Sequence, residues 1–404
     1  MMLDLRTYKA AMDKCCDCGF CQATCPVFLE DLLETHVARA RMGLIRACLL
    51  EGTHPVTERL REVVGRCLLC TSCVQTCPAR LPVDEIVVAA RHQLQQQNSR
   101  GRLRRRMTRK FMKERGFRGL VGKAGRLARS MGLGPEELPP PARKRFEELR
   151  RGVISPKGEI RARVAYYVGC ATNTFYPETA LDVVRVLAHN GIEVLLPEGL
   201  VCCGMPALGE GDLETAQELV RTNIRVLSRQ DVDAIVTDCT SCGLVLKTKT
   251  VKVLPEDDEL REQATLLSPK IHEITDYLSQ IGLTEEPSSV PGKLTYHMPC
   301  HRSWTPTMDD APRNILRSIP ETEFVEMEYP ERCCGGGGTF FMDYKELSQS
   351  IRSHKIEDID HTGARTVVTQ CPSCRSYMTP MLKEREVMHP VSFLARAYGF
   401  RPDA

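Results

Sequence analysis

Three short runs of β-branched and aromatic residues, 164–168, 192–196 and 234–237, alternate with two stretches, 178–190 and 213–228, whose apolar residues recur at helical spacing. Strands separated by helices in this order predict a parallel α/β sheet. The alternation returns further along, with strands expected at 294–298, 323–327 and 366–369. The N-terminal part has no such strand runs and reads as helices over 37–50, 56–64 and 83–97. Between the two regions Leu103, Met107, Phe111, Leu120, Val121 and Leu127 interrupt a cationic run at roughly helical spacing. That pattern predicts a basic amphipathic helix or helix pair. A segment rich in Pro and Arg, 138–145, follows it. The expected architecture is α+β and multidomain: an α-helical domain over 1–97, a basic helical linker over 98–160, and two α/β domains with short parallel sheets over 161–288 and 289–404.

A chain of 404 residues, 42% of them apolar, can build a core in each of these domains. It contains no stretch of about 18 uncharged apolar residues, and its start, MMLDLRTYKA, has neither the basic nor the apolar part of an export signal. A cytoplasmic protein is expected, with any membrane contact peripheral and at the inner face of the cell membrane. The net charge of +3 conceals an uneven distribution. Residues 91–130 hold fourteen Arg or Lys against one acid, Glu114, so the rest of the chain is acidic. Such a segment suits an anionic lipid surface or an acidic partner. Nucleic acid is not expected, because aromatic residues make up only 5% of the chain and no recognition motif accompanies the charge.

Twenty cysteines change the picture. In a reducing compartment they point to metal rather than to disulfides. Cys15, Cys18, Cys21 and Cys25 precede Pro26, and Cys67, Cys70, Cys73 and Cys77 precede Pro78, so the run C-x2-C-x2-C-x3-C-P occurs twice. Three closely spaced thiolates wrap one face of a cubane, and the fourth cysteine of the run reaches the other cluster. Crossed ligation is therefore expected, with Cys15, Cys18, Cys21 and Cys77 on one 4Fe-4S cluster and Cys67, Cys70, Cys73 and Cys25 on the second. Zinc, which needs only two C-x2-C pairs, suits this spacing less well. Cys16 and Cys48 fall outside the repeat and read as spare thiols.

The C-terminal two thirds repeat themselves. Cys170 aligns with Cys300, Cys202-Cys203-Gly204 with Cys333-Cys334-Gly335, and Cys239 and Cys242 with Cys371 and Cys374. Each landmark follows an expected strand, so five sulfurs gather past the carboxyl ends of each sheet, where open α/β sheets hold their ligands. A metal cluster in each module is expected, with a partly lost or zinc-filled site as the alternative. Gly204 and the glycines at 335–338 allow positive φ and close backbone approach. His297 and His301 lie near Cys300, with no histidine at the matching places near Cys170. His301 is a candidate to donate a proton or to hydrogen-bond a cluster sulfur, against the plainer reading of a packed histidine.

The paired cysteine motifs are those of CCG domains. Joined to an N-terminal two-cluster ferredoxin, they resemble the iron-sulfur subunits of glycolate oxidase and D-lactate dehydrogenase over nearly the whole chain. The iron-sulfur subunit of anaerobic glycerol-3-phosphate dehydrogenase and the catalytic subunits of heterodisulfide reductase are similar in architecture. The connection over 26–66 resembles the α-helical ferredoxin domains of respiratory dehydrogenases. The resemblance implies 4Fe-4S clusters in the ferredoxin domain and noncubane 4Fe-4S clusters in the CCG modules. Their ligands would be Cys170, Cys202, Cys203, Cys239 and Cys242 in one module, and Cys300, Cys333, Cys334, Cys371 and Cys374 in the other. It also implies an FAD-binding dehydrogenase partner that oxidises glycolate or D-lactate, with this chain passing electrons to a quinone or another acceptor. No G-x-G-x-x-G follows an expected strand, so neither a flavin nor an independent hydroxyacid-oxidising site is expected in this chain. Three alternatives stay open: a disulfide reductase for which the CCG clusters are the catalytic sites, the iron-sulfur subunit of an anaerobic glycerol-3-phosphate dehydrogenase, and an assembly with a further ferredoxin-like or electron-transfer flavoprotein subunit.

Overall fold

The computed structural model describes residues 4–96, 102–131, 133 and 137–400; the boundary expected at 97/98 and parts of the expected linker lie outside these residues. The N-terminal domain is helical. Helix Ala38–Ile45 runs on into a π turn at Arg46–Leu50, and helices Glu58–Gly65 and Val83–Gln96 pack against it. Thr57 starts the second of these by accepting a hydrogen bond from the Leu60 amide at 3.2 Å. Ile45, Leu60, Val64, Ile86, Val87 and Ala90 form the seam between them and are buried. Each large aliphatic side chain there contributes roughly 1.5–3 kcal/mol.

The two cysteine runs share a backbone shape. Asp17 and Gly19 in the first, and Leu69 and Thr71 in the second, are all left-handed, with φ of 52°, 83°, 54° and 60°. A non-glycine residue accepts that conformation at a cost of roughly 1–2 kcal/mol. Three such residues at matching places therefore indicate one geometric demand acting on both runs, although their intervening sequences differ.

Among the described residues nine strands form two sheets. The first contains β1 (Gly152–Ile154), β2 (Ala162–Tyr166), β3 (Ile192–Leu196), β4 (Ala234–Thr237) and β5 (Ile271–Glu273), in the order β1-β3-β2-β4-β5. The second contains β6 (Gly292–Tyr296), β7 (Thr322–Phe324), β8 (Thr366–Val368) and β9 (Glu386–Met388), in the order β7-β6-β8-β9. Every neighbouring pair is parallel except β1 on β3, where Val153 lies opposite Leu195. Strands β2 to β5 correspond to β6 to β9, so the duplication seen in the cysteines extends to the sheet. The end of the segment read as linker belongs physically to the first sheet: β1 supplies its edge strand, and Phe146 is buried edge-on against Tyr166, ring centres 6.0 Å apart. Helix Pro177–His189 packs on helix Pro390–Ala397, which merges Val183, Leu187, Tyr296, Leu316 and Leu394 into one core across the two modules.

The basic segment forms two helices, Arg102–Lys113 and Arg115–Ser130. Several of its cations are structural rather than free. Arg91 turns inward and donates to the Val64, Gly65, Cys67 and Gly209 carbonyls at 2.5–3.1 Å. Arg109 grips Asp212 at 2.5 and 3.0 Å, and the buried Arg118 donates to the Met112 carbonyl at 3.1 Å. Leu103, Met107, Leu120 and Leu127 remain exposed. Among the described residues no helix is long and apolar enough to cross a membrane.

Candidate metal centres

A cavity under the second cysteine run is lined by Cys25, Cys67, Cys70 and Cys73, that is, by three sulfurs of the second run and the last of the first. Burial, and after it the sulfurs of Cys70, Cys67 and Cys25, push the Cys73 thiol well above its ordinary value. Cys70 is pushed up to about 12, by burial first and then by Cys300. Four crowded sulfurs, which outnumber the Thr71 and Asp84 oxygens in the same lining, suit a soft, thiolate-binding metal centre, whose charge would hold them deprotonated. Around the first run Cys15 lies beside Cys21. Helix Phe20–Ala23, which carries Cys21, packs on helix Ser72–Thr76, which ends at Cys77. Cys18 is exposed, so this end of the domain faces solvent; Cys16 is exposed too, and Cys48 packs partly buried against the core.

The CCG sites are built by the loops that follow the strands. Cys170 opens helix Cys170–Phe175 after β2, Cys202 and Cys203 follow β3, and Cys239 caps helix Thr240–Leu244 after β4. In the second module Cys371 caps helix Pro372–Met378, with φ and ψ of −129° and 112° against −126° and 115° at Cys239. Cys170 Sγ lies 3.5 Å from Cys202 Sγ. Two thiolates on one tetrahedral metal, with bonds of about 2.3 Å, would sit roughly 3.8 Å apart. Hydrogen bonds from Cys202 and Cys242 pull Cys203 down to about 6. Those from Cys333 and Cys374 hold Cys334 well below the usual thiol range. In both modules the second cysteine of the pair is thus where three thiols meet, and a depressed thiol is one ready to bind metal as thiolate. Gly335 beside the second pair has φ of 82°, and a Cβ there would lie 2.6 Å from the Ser348 carbonyl oxygen.

Residues 164–247 and 294–379 match the CCG cysteine-rich domain, and residues 11–81 match the 4Fe-4S dicluster domain. The chain belongs to the iron-sulfur proteins built from these two kinds of domain. A probable glycolate oxidase iron-sulfur subunit of Bacillus subtilis is 28% identical over 399 residues, covering 91% of this chain and 89% of the relative. A fumarate reductase (CoM/CoB) subunit of Methanothermobacter marburgensis is 28% identical over 395 residues, covering 95% of this chain and 72% of that one. Lactate utilization protein A 2 of Bacillus cereus is 27% identical over 239 residues, which is 58% of this chain and 98% of the relative. Among solved structures, a hypothetical protein from Helicobacter pylori superposes with a TM-score of 0.54 at 10% identity, over 90% of this chain and 68% of that one. That last likeness is one of fold alone.

The dicluster domain and the second CCG domain meet through side chains the motifs do not contain. Thr71 Oγ1 and Gln75 Nε2 each donate to the Cys300 carbonyl at 3.1 Å. His301 is held by Ser241 Oγ at Nδ1 (2.9 Å) and by the Leu69 carbonyl at Nε2 (2.9 Å). It therefore joins three cysteine motifs by their backbones and neighbours, and both ring nitrogens are engaged away from sulfur. Of the two readings of His301, this geometry matches the plainer one, a packed, satisfied histidine. The histidine at the sulfurs is His297, one ring nitrogen of which lies within 4.8 Å of both Cys334 Sγ and Cys374 Sγ. Sequence reasoning also missed Arg91 as the clamp on the Cys67 carbonyl, because its neighbours place it in a cationic run and nothing local shows that it turns inward.

Proposed function

We propose that this chain is the iron-sulfur subunit of a flavoprotein 2-hydroxyacid dehydrogenase, acting on glycolate or D-lactate, and that it carries electrons from a partner's FAD to a quinone or another acceptor. The observation that carries the reading is the contiguity of sulfur groups, with Cys70 of the dicluster domain close enough to Cys300 of the second CCG domain to raise its thiol. The full-length similarity to the glycolate oxidase iron-sulfur subunit supports the same partner class. Cys15, Cys18, Cys21 and Cys77 would hold one 4Fe-4S cluster and Cys67, Cys70, Cys73 and Cys25 the other, with further clusters on the two five-cysteine sets. When bound, these groups supply one-electron storage, whereas removing two electrons from an alcohol as hydride requires a flavin. The chain's own residues fix the spacing: Thr71, Gln75 and His301 lock one motif against the next.

Electrons would enter at the exposed end, where Cys18 lies near exposed Phe20 and where Leu29, Leu32 and Leu33 are also exposed. An apolar rim of this kind suits docking of a protein partner. Anaerobically purified chain is expected to show no glycolate or D-lactate oxidation alone and to restore acceptor reduction when mixed with the separately encoded flavoprotein. Phe20→Asp together with Leu32→Asp should weaken that restoration at least tenfold without changing iron content. Full activity of the chain by itself, or none with any flavoprotein, would overturn the reading.

A disulfide-reductase reading has one specific support, a cavity beside Cys170 in which Arg115, Arg118, Arg150 and Arg151 outnumber Glu147 and Glu198, a net positive lining that suits an anionic thiol or disulfide. Reduction of such a disulfide with electrons from reduced ferredoxin and no flavoprotein would replace the first reading with this one.

The exposed leucines among cations on helices Arg102–Lys113 and Arg115–Ser130 fit contact with an anionic membrane surface. The chain should sediment with phosphatidylglycerol vesicles in dilute buffer and be released by salt, because exposed charges are screened over about 10 Å at 0.1 M. Absence of binding in dilute buffer would exclude the contact.

A further inference from the structure

The two CCG sites differ at one position in their innermost ring. Tyr167, one residue past β2, occupies the place that His297 holds past β6, three residues before the first cysteine of each module. Tyr167 is satisfied, donating its hydroxyl to the Val201 carbonyl at 2.6 Å. His297 is 1% exposed, and neither ring nitrogen has an oxygen or nitrogen partner. The polar group it meets instead is the Cys334 sulfur. Its ring faces the sulfurs of Cys334 and Cys374, with one ligand atom from each of the three residues within 4.8 Å of the others. Zinc or iron bound by one imidazole nitrogen at about 2.0 Å and two thiolates at about 2.3 Å would bring such atoms to roughly 3.5–3.8 Å, a small closure from the spacing present.

We infer that His297 is a nitrogen ligand of the metal centre in the second CCG domain, so that this centre is a mixed cysteine and histidine site while the first, with Tyr167 in the matching place, is held by sulfur alone. The ligand it accepts is a transition metal that binds thiolate and imidazole together, an iron of a cluster or a zinc ion. The inference rests on the proposal that the second five-cysteine set holds metal. It adds a chemical consequence: where the imidazole takes the place of one of the five thiolates on an iron, the centre is less negative and its potential shifts upward, as in other iron-sulfur centres with histidine ligands. The two CCG centres would then differ in potential although their cysteine sets are duplicates.

The test uses the full chain, isolated anaerobically with its metals, labelled with 15N-histidine and reduced in steps. Electron-nuclear double resonance should show a strongly coupled histidine nitrogen, or, if zinc fills the site, absorption at the zinc edge should show a nitrogen shell near 2.0 Å beside sulfur. His297→Tyr, which copies the first module, should abolish the nitrogen signal and leave the metal content of the dicluster domain unchanged. Because the labelled wild-type chain gives the primary reading, a variant that fails to fold does not blunt the test. Metal in the second site with sulfur signals only overturns this inference alone. A second site empty of metal, shown by no loss of metal in Cys334→Ala, overturns the cluster reading beneath it as well.

Discussion

Alanine at Cys25 should remove one whole 4Fe-4S cluster, about four irons per chain, and the cluster lost should be the one built on the second cysteine run. Cys25 ends the first run in sequence, yet it lines the same cavity as Cys67, Cys70 and Cys73. It is buried, and its sulfur lies 3.5 Å from the His36 carbonyl, so the backbone around Pro26 delivers it away from its own run. The comparison that decides is spectroscopic. Reduced Cys25→Ala protein should share its paramagnetic spectrum with Cys70→Ala and differ from Cys18→Ala. If Cys25→Ala instead resembles Cys18→Ala, each run serves its own cluster and the crossed arrangement is wrong. The functional effect should be as large as the chemical one, because Cys70 and Cys300 make this cavity the neighbour of the second CCG site.

Cysteine chemistry made the candidate sites readable in advance because it constrains spacing directly. A short cysteine run must turn tightly to bring its sulfurs together, and the left-handed Leu69 and Thr71 show that turn overriding residue preference. The strands were readable where they were long and apolar: β3 and β4 begin and end where their patterns do, at Ile192–Leu196 and Ala234–Thr237. The fourth strand of each module was not. β5 reads Ile-His-Glu and β9 reads Glu-Val-Met, three residues each, and their extended form comes from pairing with β4 and β8 rather than from any local preference. β1 is hidden for the same reason at the end of a cationic segment.

What a sequence could not reveal was which residues face which across domains. Thr71 and Cys300 are distant along the chain, and their hydrogen bond depends on how the dicluster loop docks. His297 and His301 look alike as neighbours of Cys300. Only the fold separates them, because Leu69 and Ser241 occupy one imidazole while the other is left facing two sulfurs. The same limit applies to Arg91 and Lys249, ordinary surface residues by composition that turn out to be clamps between domains.

Lys249→Met should destabilise the seat of the dicluster domain on the first CCG domain by about 3–5 kcal/mol, the usual result of removing one partner from a buried ion pair. Lys249 donates to Asp84 at 2.6 Å and to Glu85 at 2.7 Å, and Lys252 reaches the same Glu85 oxygen at 2.7 Å. Glu85 is 4% exposed, so removing Lys249 leaves a buried carboxylate with the half-exposed Lys252 as its remaining cation and the Tyr8 hydroxyl, donating at 3.2 Å, as its other partner. Burial alone would raise Glu85, but Lys249 and Lys252 outweigh it and hold the carboxyl below its ordinary 4.5. A depressed carboxylate contributes stability that is complete above its ordinary value and is lost as pH falls through the lower folded value. Lys249 is shifted the other way: burial opposes its charge, Asp84 and Glu85 more than restore it, and its value rises above 10.5. Its contribution is therefore complete below 10.5 and lost only as pH climbs past the raised value. The contact should hold across neutral pH and fail first in acid. Urea unfolding of the anaerobic holoprotein, followed by cluster absorbance, gives the magnitude. The double variant Lys249→Met with Glu85→Gln should be clearly less destabilised than the sum of the two singles, since it removes the more deeply buried of the two carboxylates that Lys249 pairs, leaving only Asp84 without its lysine. Additive losses, or a single-variant change under about 1 kcal/mol, would mean that this pair sits on the interface without holding it.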